Sequence, residues 1–400
     1  MEFNPSTALD YARAVSRPRR VGSGEDEAVA GEIEARLRGF GYRVERQAFG
    51  FSTGVNALIS LMLVAGMLLV AAAVWLQWQG TRLAIIPALA VLAPAFLFDR
   101  VLRAAGPGSL TPEPGEPASL WTALCLRLGS RYRSSNLVAT RDDAPDLVDR
   151  PRLYLVAHYD SKSQRVPLVV RIVLSAIAIG GGIAFAALNI LALPIPGLAP
   201  AIIPLGIGVL LATFPLTLID VGNSSPGAVD NGSGIGAVLH LAECLARRRD
   251  LLDRLGTTVL ITGAEELAVM GAEAYVRRYA TALRQQADAG GLHILNFDGV
   301  GVDGELFYDP RGRTQPGRLA NLVQEVGAEW RPPLRRFSSR GVLLDHLPFA
   351  RHGFDAVTLL GIGRATLSVH TPADAVDKLH VRGFEQAGRV AWRVIEKLAG

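Results

Sequence analysis

Four long apolar runs stand out in a chain that otherwise mixes apolar and polar positions. A helix needs about 20 apolar residues to cross a bilayer, at roughly 1.5 Å per residue. The first, third and fourth runs also lack the polar face that a helix on a soluble protein keeps. They therefore predict four transmembrane helices arranged as two hairpins, residues 53–104 and 166–219. The runs are Val55–Trp78, Leu83–Phe98, Ile172–Leu193 and Ile195–Ile219.

The second run also admits another interpretation. Leu83–Phe98 is shorter than the other three and contains Pro87 and Pro94. An apolar stretch of this length is also typical of a buried core helix. The four-helix prediction thus depends most on this segment.

Outside the apolar runs, short strand-type segments alternate with segments of helical periodicity. This alternation predicts an α/β fold with a mostly parallel central sheet flanked by helices. We expect one discontinuous domain formed by residues 1–52, 105–165 and 220–400. The predicted strands are 42–49, 134–140, 153–157, 257–262, 292–297, 305–308 and 356–360, and the predicted helices are 24–38, 234–249, 268–283, 317–326 and 375–398.

Composition and charge narrow the class of protein. The mean hydropathy of +0.27 is high for a soluble enzyme and fits an integral, multi-pass membrane protein with the bilayer as a partner. The net charge of +4 comes without a long basic tract, so nothing favours nucleic acid as a partner. Cys125 and Cys244 have no metal-site spacing and are expected to be reduced thiols.

The arginines near the apolar runs predict an orientation. Arg100, Arg103, Arg165 and Arg171 lie on the domain side of the hairpins, whereas the opposite loops contain only Arg82. Cytoplasmic loops carry the excess of basic residues. No basic segment followed by an apolar core is seen at the N-terminus, so no signal peptide is expected. The catalytic domain is therefore predicted to be cytoplasmic.

Five side chains of metal-binding type follow predicted strands or their adjoining loops. Open α/β sheets build their sites at the ends of strands, so we expect these side chains to converge. Imidazole nitrogen and carboxylate oxygen suit zinc, and a bridging carboxylate can hold two ions about 3.5–4 Å apart for hydrolysis. The sequence thus predicts a two-zinc hydrolase. The candidate ligands are His158, Asp230, Glu266, Asp298 and His370.

Six short motifs in order resemble the M28 family of zinc peptidases, which includes aminopeptidases and, as a relative, glutaminyl cyclase. The resemblance covers roughly residues 1–50, 130–161 and 220–400, and it leaves the apolar runs as insertions. It implies the phosphorylase/hydrolase-like α/β fold of zinc exopeptidases. The motifs are His158-Tyr-Asp160-Ser161, Gly227-Ala-Val-Asp230-Asn231-Gly-Ser-Gly234, Ala264-Glu265-Glu266, Asn296-Phe-Asp298, Asp345-His346 with Phe349, and His370-Thr-Pro-Ala-Asp374.

The resemblance also implies a role for each residue. It assigns His158 and Asp298 to one zinc ion, Glu266 and His370 to the other, and Asp230 to both. Glu265 would be the general base, a role that a carboxylate beside a zinc-held water suits. Asp160 is expected to support catalysis by fixing the tautomer of His158.

Two positions depart from the family pattern. Val369 stands before the last histidine, where family aminopeptidases often have a tyrosine that stabilises the oxyanion. Tyr159 and Tyr308 are candidates to replace that donor. Leu344 stands where a serine commonly precedes the Asp-His pair.

The function predicted from these residues is a membrane-embedded two-zinc aminopeptidase acting on peptides. One alternative is a glutaminyl-cyclase-like acyltransferase, which would use one zinc ion. Another is an inactive membrane scaffold with a peptidase-like domain. The five ligand-type residues and Glu265 favour hydrolysis, while the preferred N-terminal residue and the oligomeric state are not determined by the sequence.

Overall fold

The computed structural model describes residues 2–113, 115–141, 150–218, 221–313, 315–338 and 342–400. By contacts the chain forms two compact units. The first consists of Met1–Phe51, Tyr132–Ser163 and Gly222–Gly400, and the second of Ser52–Arg131 and Gln164–Val221. Residues 105–131, which the sequence prediction assigned to the catalytic domain, therefore lie in the second unit.

The α-helices of the described residues occur in both units. In chain order they are α1 Pro5–Val15, α2 Glu25–Gly39, α3 Gly54–Trp78, α4 Ile85–Ala90, α5 Leu92–Gly108, α6 Leu120–Leu128, α7 Leu168–Leu191, α8 Ile202–Thr213, α9 Ser233–Ala246, α10 Arg249–Leu252, α11 Met270–Ala289, α12 Arg318–Glu329, α13 His346–Arg351 and α14 Val381–Ala399.

The first unit is built on an eight-stranded sheet of order β1-β2-β6-β3-β7-β10-β8-β9. Its four central strands, β6, β3, β7 and β10, are parallel, while β2 and β8 pair with them antiparallel. The strands are β1 Arg43–Ser52, β2 Arg131–Thr140, β3 Arg152–His158, β4 Ser163–Gln164, β5 Val221–Gly222, β6 Gly256–Thr262, β7 Leu292–Asp298, β8 Gly304–Asp309, β9 Arg335–Arg336 and β10 Asp355–Gly363. Strands β4 and β5 form a separate two-stranded sheet.

Strand β3 shows why the sequences of the central strands are continuous apolar runs. Leu153 and Leu155 belong to the core cluster that includes buried residues of α1, α9 and α14. Tyr154 and Val156 belong to the cluster on the other face, with residues of α11 and α13. Because side chains alternate between the two faces of a strand, a sheet covered by helices on both faces needs apolar residues at every position. The predicted α/β class with flanking helices is confirmed.

In the part of the second unit that the structure describes, three helices are long and apolar enough to cross a membrane. They are Gly54–Trp78, Leu168–Leu191 and the composite Pro196–Thr217, in which 3-10 turns flank α8. Their side chains pack together through a small core that includes Val70, Phe185 and Val209. Three of the four predicted membrane segments thus coincide with such a helix.

The segment Leu83–Phe98 is not one helix, contrary to the sequence prediction. The chain forms a 3-10 turn at Arg82–Ala84, then α4, and starts α5 at Leu92. Proline lacks the amide proton that a helix interior needs, and its ring clashes with the carbonyl four residues earlier. Pro94 would meet the carbonyl of Ala90, the last residue of α4, so the break lies where this proline requires it. Of the arginines used to predict orientation, the side chain of Arg103 lies outside the described residues.

Candidate metal centre

His158 is the last residue of β3, and this strand places its side chain at the site. Its ring is buried, and Nδ1 lies 3.1 Å from the backbone carbonyl of Asp160. A proton on Nδ1 donates to that carbonyl, which leaves the lone pair of Nε2 for a ligand. Nε2 lies 3.1 Å from an oxygen of Asp230, 3.7 Å from one of Glu265 and 4.0 Å from one of Asp298.

Asp230 lies between the two histidines of the candidate ligand set. Its Oδ1 is the atom that faces His158, and its Oδ2 lies 3.1 Å from Nε2 of His370. The loop is held from behind, because the carboxylate of Asp374 accepts the amide protons of Val229 and Asp230. Asp230 is therefore oriented with one oxygen towards each half of the site, as a bridging ligand requires.

Glu265 and Glu266 form a 3-10 turn directly after β6. Their amide groups donate to the two oxygens of Asp160, at 3.0 and 3.2 Å. Glu266 extends Oε2 to within 3.1 Å of Nε2 of His370. The turn therefore holds two adjacent carboxylates at the edge of the sheet where β3 and β7 also end, as their parallel pairing requires.

Asp160 supports the centre in a way that differs in detail from the prediction. The contact that orients Nδ1 of His158 is the backbone carbonyl of Asp160, while the nearest carboxylate oxygen lies at 3.5 Å. The carboxylate instead fixes the Glu265–Glu266 turn through the two amide hydrogen bonds. One residue thus orients both the histidine and the glutamates.

The side chains converge into two groups of three potential ligands, and within each group the ligand atoms lie within 4.8 Å of one another. The first consists of His158, Glu265 and Asp298, and the second of Asp230, Glu266 and His370. All five residues predicted as ligands are therefore brought together, with Glu265 beside them. The grouping by itself does not separate a ligand from a general base at Glu265.

Unpaired polar atoms at the site fit a cation. Among the described residues, Nε2 of His158 and Oε1 of Glu266 are buried without a hydrogen-bond partner, although Nε2 of His158 lies close to Asp230. A buried polar atom without a partner is costly unless something else satisfies it. Imidazole nitrogen with carboxylate oxygen is a donor set that zinc accepts. The residues present thus fit the metal that the sequence predicts.

The shifted pKa values of the buried carboxylates also indicate a site that would be stabilised by a bound positive charge. Burial, and then the nearby carboxylate of Asp230, raise the pKa of Asp298 to about 8. Burial likewise raises the pKa of Glu265 well above its usual range, although His158 opposes the shift. In contrast, the rings of His158 and His370 outweigh burial and hold the pKa of Asp230 well below its usual range. Crowded buried carboxylates of this kind are stabilised as anions by bound cations.

Two basic residues near the centre were not singled out from the sequence. Arg19 is fully buried, and its guanidinium donates to the backbone carbonyls of Tyr159, Pro226 and Gly227. It therefore joins the segment after His158 to the loop before Asp230. Lys162 makes a different contact, since its Nζ lies 2.8 Å from Oε2 of Glu266.

The tyrosines proposed to replace the donor missing at Val369 point elsewhere. The hydroxyl of Tyr159 lies 3.2 Å from that of Ser134, and the hydroxyl of Tyr308 donates to Gln324. Val369 itself is buried in the main core. Neither tyrosine hydroxyl is therefore available at the metal centre in this conformation. Leu344, the other departure, is also buried.

Comparison with known proteins gives a match to one family model. The model of peptidase family M28 matches residues 136–395 of the 400 in this chain. Aminopeptidase YwaD from Bacillus subtilis (strain 168) is 28% identical over 171 residues, which make up 41% of this chain and 36% of that protein. The match thus spans about a third of the curated relative's length.

Solved structures with the same fold include both chemistries considered above. The zinc aminopeptidase BSAP from Bacillus subtilis has a TM-score of 0.55 at 15% identity, covering 99% of this chain and 95% of that one. A glutaminyl cyclase from Bacteroides thetaiotaomicron, bound to N-acetylhistamine, has a TM-score of 0.55 at 13% identity, covering 99% and 98%. At these identities the likeness concerns the fold.

Proposed function

Because the chain belongs to peptidase family M28, we propose that it is a membrane-embedded two-zinc aminopeptidase that removes N-terminal residues from peptides. The observation that carries the proposal is the carboxylate of Asp230, which directs one oxygen to His158 and the other to His370. A carboxylate so placed joins two ligand groups, and two ions held in this way suit hydrolysis.

In this proposal each residue of the site has a distinct role. His158 and Asp298 would hold one ion, Glu266 and His370 the other, and Asp230 both. Zinc bound here would supply Lewis acidity and would lower the pKa of water towards about 7. Glu265 would accept the proton of the attacking water, and Asp160 would keep His158 and the glutamate turn in place.

Membrane embedding is part of the same proposal. Support comes from the three long apolar helices of the second unit, which expose large apolar side chains such as Leu68, Ile179 and Leu211. A soluble protein rarely exposes so much apolar surface without a partner. We propose that Leu83–Phe98, though divided between a 3-10 turn, α4 and the start of α5, completes a fourth span, because broken helices are tolerated in membranes where neighbouring helices cover them.

A glutaminyl-cyclase-like activity is the second candidate, favoured by the shared fold of the solved cyclases. Such an enzyme would use a single ion and would close N-terminal glutamine onto itself without consuming water. Asp298 argues for hydrolysis, since it provides an additional carboxylate in the first ligand group.

Metal content and product analysis on one preparation test the proposal. The detergent-purified protein should contain close to two zinc equivalents and should release N-terminal amino acids from a peptide panel. Chelation should abolish this activity, and zinc or cobalt should restore it. A single equivalent together with pyroglutamyl product from glutaminyl peptides would establish the cyclase instead. Failure to bind any divalent ion would refute the enzymatic proposal and favour the inactive scaffold.

A further inference from the structure

Lys162 places a positive charge directly against the second ligand group. Its Nζ lies 2.8 Å from Oε2 of Glu266. The Nε2 atom of His370 approaches the same oxygen at 3.1 Å. The ammonium group and a metal ion held by Glu266 and His370 would therefore compete for the electron pairs of one carboxylate oxygen.

The position of the ammonium group does not depend on that carboxylate alone. Nζ also donates to the backbone carbonyl of Glu266, at 3.1 Å. The turn that carries this carbonyl is fixed in turn by Asp160, which accepts the amide protons of Glu265 and Glu266. A metal ion that displaced Nζ from the carboxylate would thus still leave the ammonium group anchored nearby.

Lysine is a rare residue in this chain. Lysine occurs only at positions 162, 378 and 397, within a total of 41 lysines and arginines. The side chains of Lys378 and Lys397 are about a third exposed, at 35% and 34%, whereas that of Lys162 is 15% exposed. Lys162 is therefore the lysine with the least access to solvent, where charge interactions are screened least.

The two ligand groups differ in their basic neighbours. Among the described residues, neither Glu265 nor Asp298 has a lysine or arginine within salt-bridge distance, and both carboxylates instead lie near Nε2 of His158. Arg19 is also buried nearby, but its guanidinium donates hydrogen bonds to backbone carbonyls. The two halves of the centre are thus electrostatically unequal.

We propose that Lys162 is a tethered cation that weakens metal binding by Asp230, Glu266 and His370 relative to binding by the first group. This inference rests on the proposed metal centre and deepens it. Two like charges a few ångströms apart repel strongly in a partly buried site. The first ion would be held firmly, and the second would be the exchangeable one, so that its occupancy follows the available zinc.

Zinc binding, measured without turnover, tests this inference. The full-length apo-protein in detergent is titrated with Zn²⁺ in competition with a chromophoric chelator, at one pH. The wild type should show two dissociation constants at least about tenfold apart. Lys162→Met keeps most of the length of the side chain and removes its charge. It should tighten the weaker site by at least about tenfold and leave the tighter site unchanged.

Two further variants serve as controls. Lys162→Arg retains the charge and should retain the weak second site, while Lys397→Met removes a surface lysine and should titrate as the wild type. Lys162→Gln replaces Lys162→Met if circular dichroism shows that the latter is misfolded. Two equal sites in the wild type, or unchanged constants in the neutral variants, would overturn the inference.

The outcome separates this inference from the proposed function. Unequal sites in a protein without peptidase activity would refute the function and support the role of Lys162. Peptidase activity in a protein whose two zinc sites have equal affinity would support the function and refute the role of Lys162. A wild type that binds no zinc would refute both.

Discussion

Glu265 and Glu266 are neighbours in one turn, yet their surroundings give them different chemistry. Oε2 of Glu266 contacts both Lys162 and His370, and these two groups outweigh burial and the charge of Asp230 and lower the pKa of Glu266. Among the described residues, the basic side chain within salt-bridge distance of Glu265 is His158, at 3.7 Å, and burial raises the pKa of Glu265. A permanently ionised carboxylate suits a metal ligand, whereas a base must exchange a proton near the working pH. The two neighbouring glutamates therefore differ in their charge environment, as the proposed division between base and ligand requires, but a raised pKa alone does not identify the base, because that of Asp298, a proposed ligand, is raised as well.

Replacing Glu265 with glutamine tests that assignment. The amide preserves the size of the side chain but cannot take a proton from water, so we expect kcat to fall at least about 100-fold. The zinc content should stay within error of the wild type, because the five ligands are intact. Stopped assays of peptide cleavage, with metal analysis of the same samples, measure both quantities.

Glu266→Gln is the matched comparison one residue away. This variant keeps the proton acceptor but removes a ligand charge, so zinc content should fall together with activity. If Glu265→Gln instead retained near-normal turnover, or if it lost zinc as Glu266→Gln should, the division of roles between the two glutamates would be wrong.

At the scale of elements, small residues decide how the apolar helices of the second unit approach one another. A Cβ atom added at Gly206 of α8 would lie 2.8 Å from Cε2 of Phe185 in α7 and still closer to Val74 in α3. At Gly208, one half-turn further along the same helix, an added Cβ would meet nothing within 4 Å. Small residues that let backbones approach closely are enriched where helices associate in membranes.

These two glycines give a prediction with its own control. Gly206→Ala should destabilise the helix packing by about 1–3 kcal/mol, because the added methyl group must displace neighbouring side chains. Gly208→Ala should leave stability unchanged or slightly higher, since alanine favours the helix. Thermal unfolding in detergent measures both variants. Equal melting temperatures for the two would show that the helices do not pack as described.

The strands could be predicted from sequence because of how this sheet is buried. The predicted segments Leu153–Ala157 and Leu292–Phe297 lie within β3 and β7, whose faces are both covered by helices. Helix α1 was missed although its start is marked by Asn4, whose side chain caps the helix, followed by Pro5. Helix α6 was missed in the same way, although Ser119 caps it. Both are short, and short helices depend on tertiary contacts more than on their own periodicity.

At the site, too, the sequence reveals residues that belong to local patterns but not contacts between residues far apart along the chain. The candidate ligands could be singled out because each follows a strand or belongs to a recognisable motif, and their side chains do converge. The roles of Arg19 and Lys162 depend on contacts far along the chain. Arg19 binds the carbonyl of Pro226, 207 residues away, and Lys162 binds Glu266, 104 residues away. No local pattern marks such a contact, so these two residues could be found only in the folded structure.

For the whole molecule, the distribution of charged and aromatic residues predicts which ends of the apolar helices face the cytoplasm. Helix α3 ends at Trp78, and both Trp75 and Trp78 are largely exposed. Tryptophan is enriched at the membrane interface, so with the proposed membrane embedding we expect the loop at Gln79 to lie at one surface of the bilayer. That loop is followed by the single basic residue Arg82, whereas Arg165 and Arg171 flank the other ends. We therefore expect the loops near Gln79 and Pro196 to face outward.

Cysteine labelling in intact cells measures this orientation. An impermeant maleimide should label Gln79→Cys and Pro196→Cys, but should label Glu113→Cys and Glu329→Cys only after the cells are opened. The native cysteines should contribute little background, because Cys125 and Cys244 are buried and burial raises the pKa of the Cys244 thiol to about 11. Thiolates are the reactive form, so such a thiol reacts slowly at neutral pH. Labelling of Glu329→Cys in intact cells would place the peptidase unit outside and would reverse the proposed orientation.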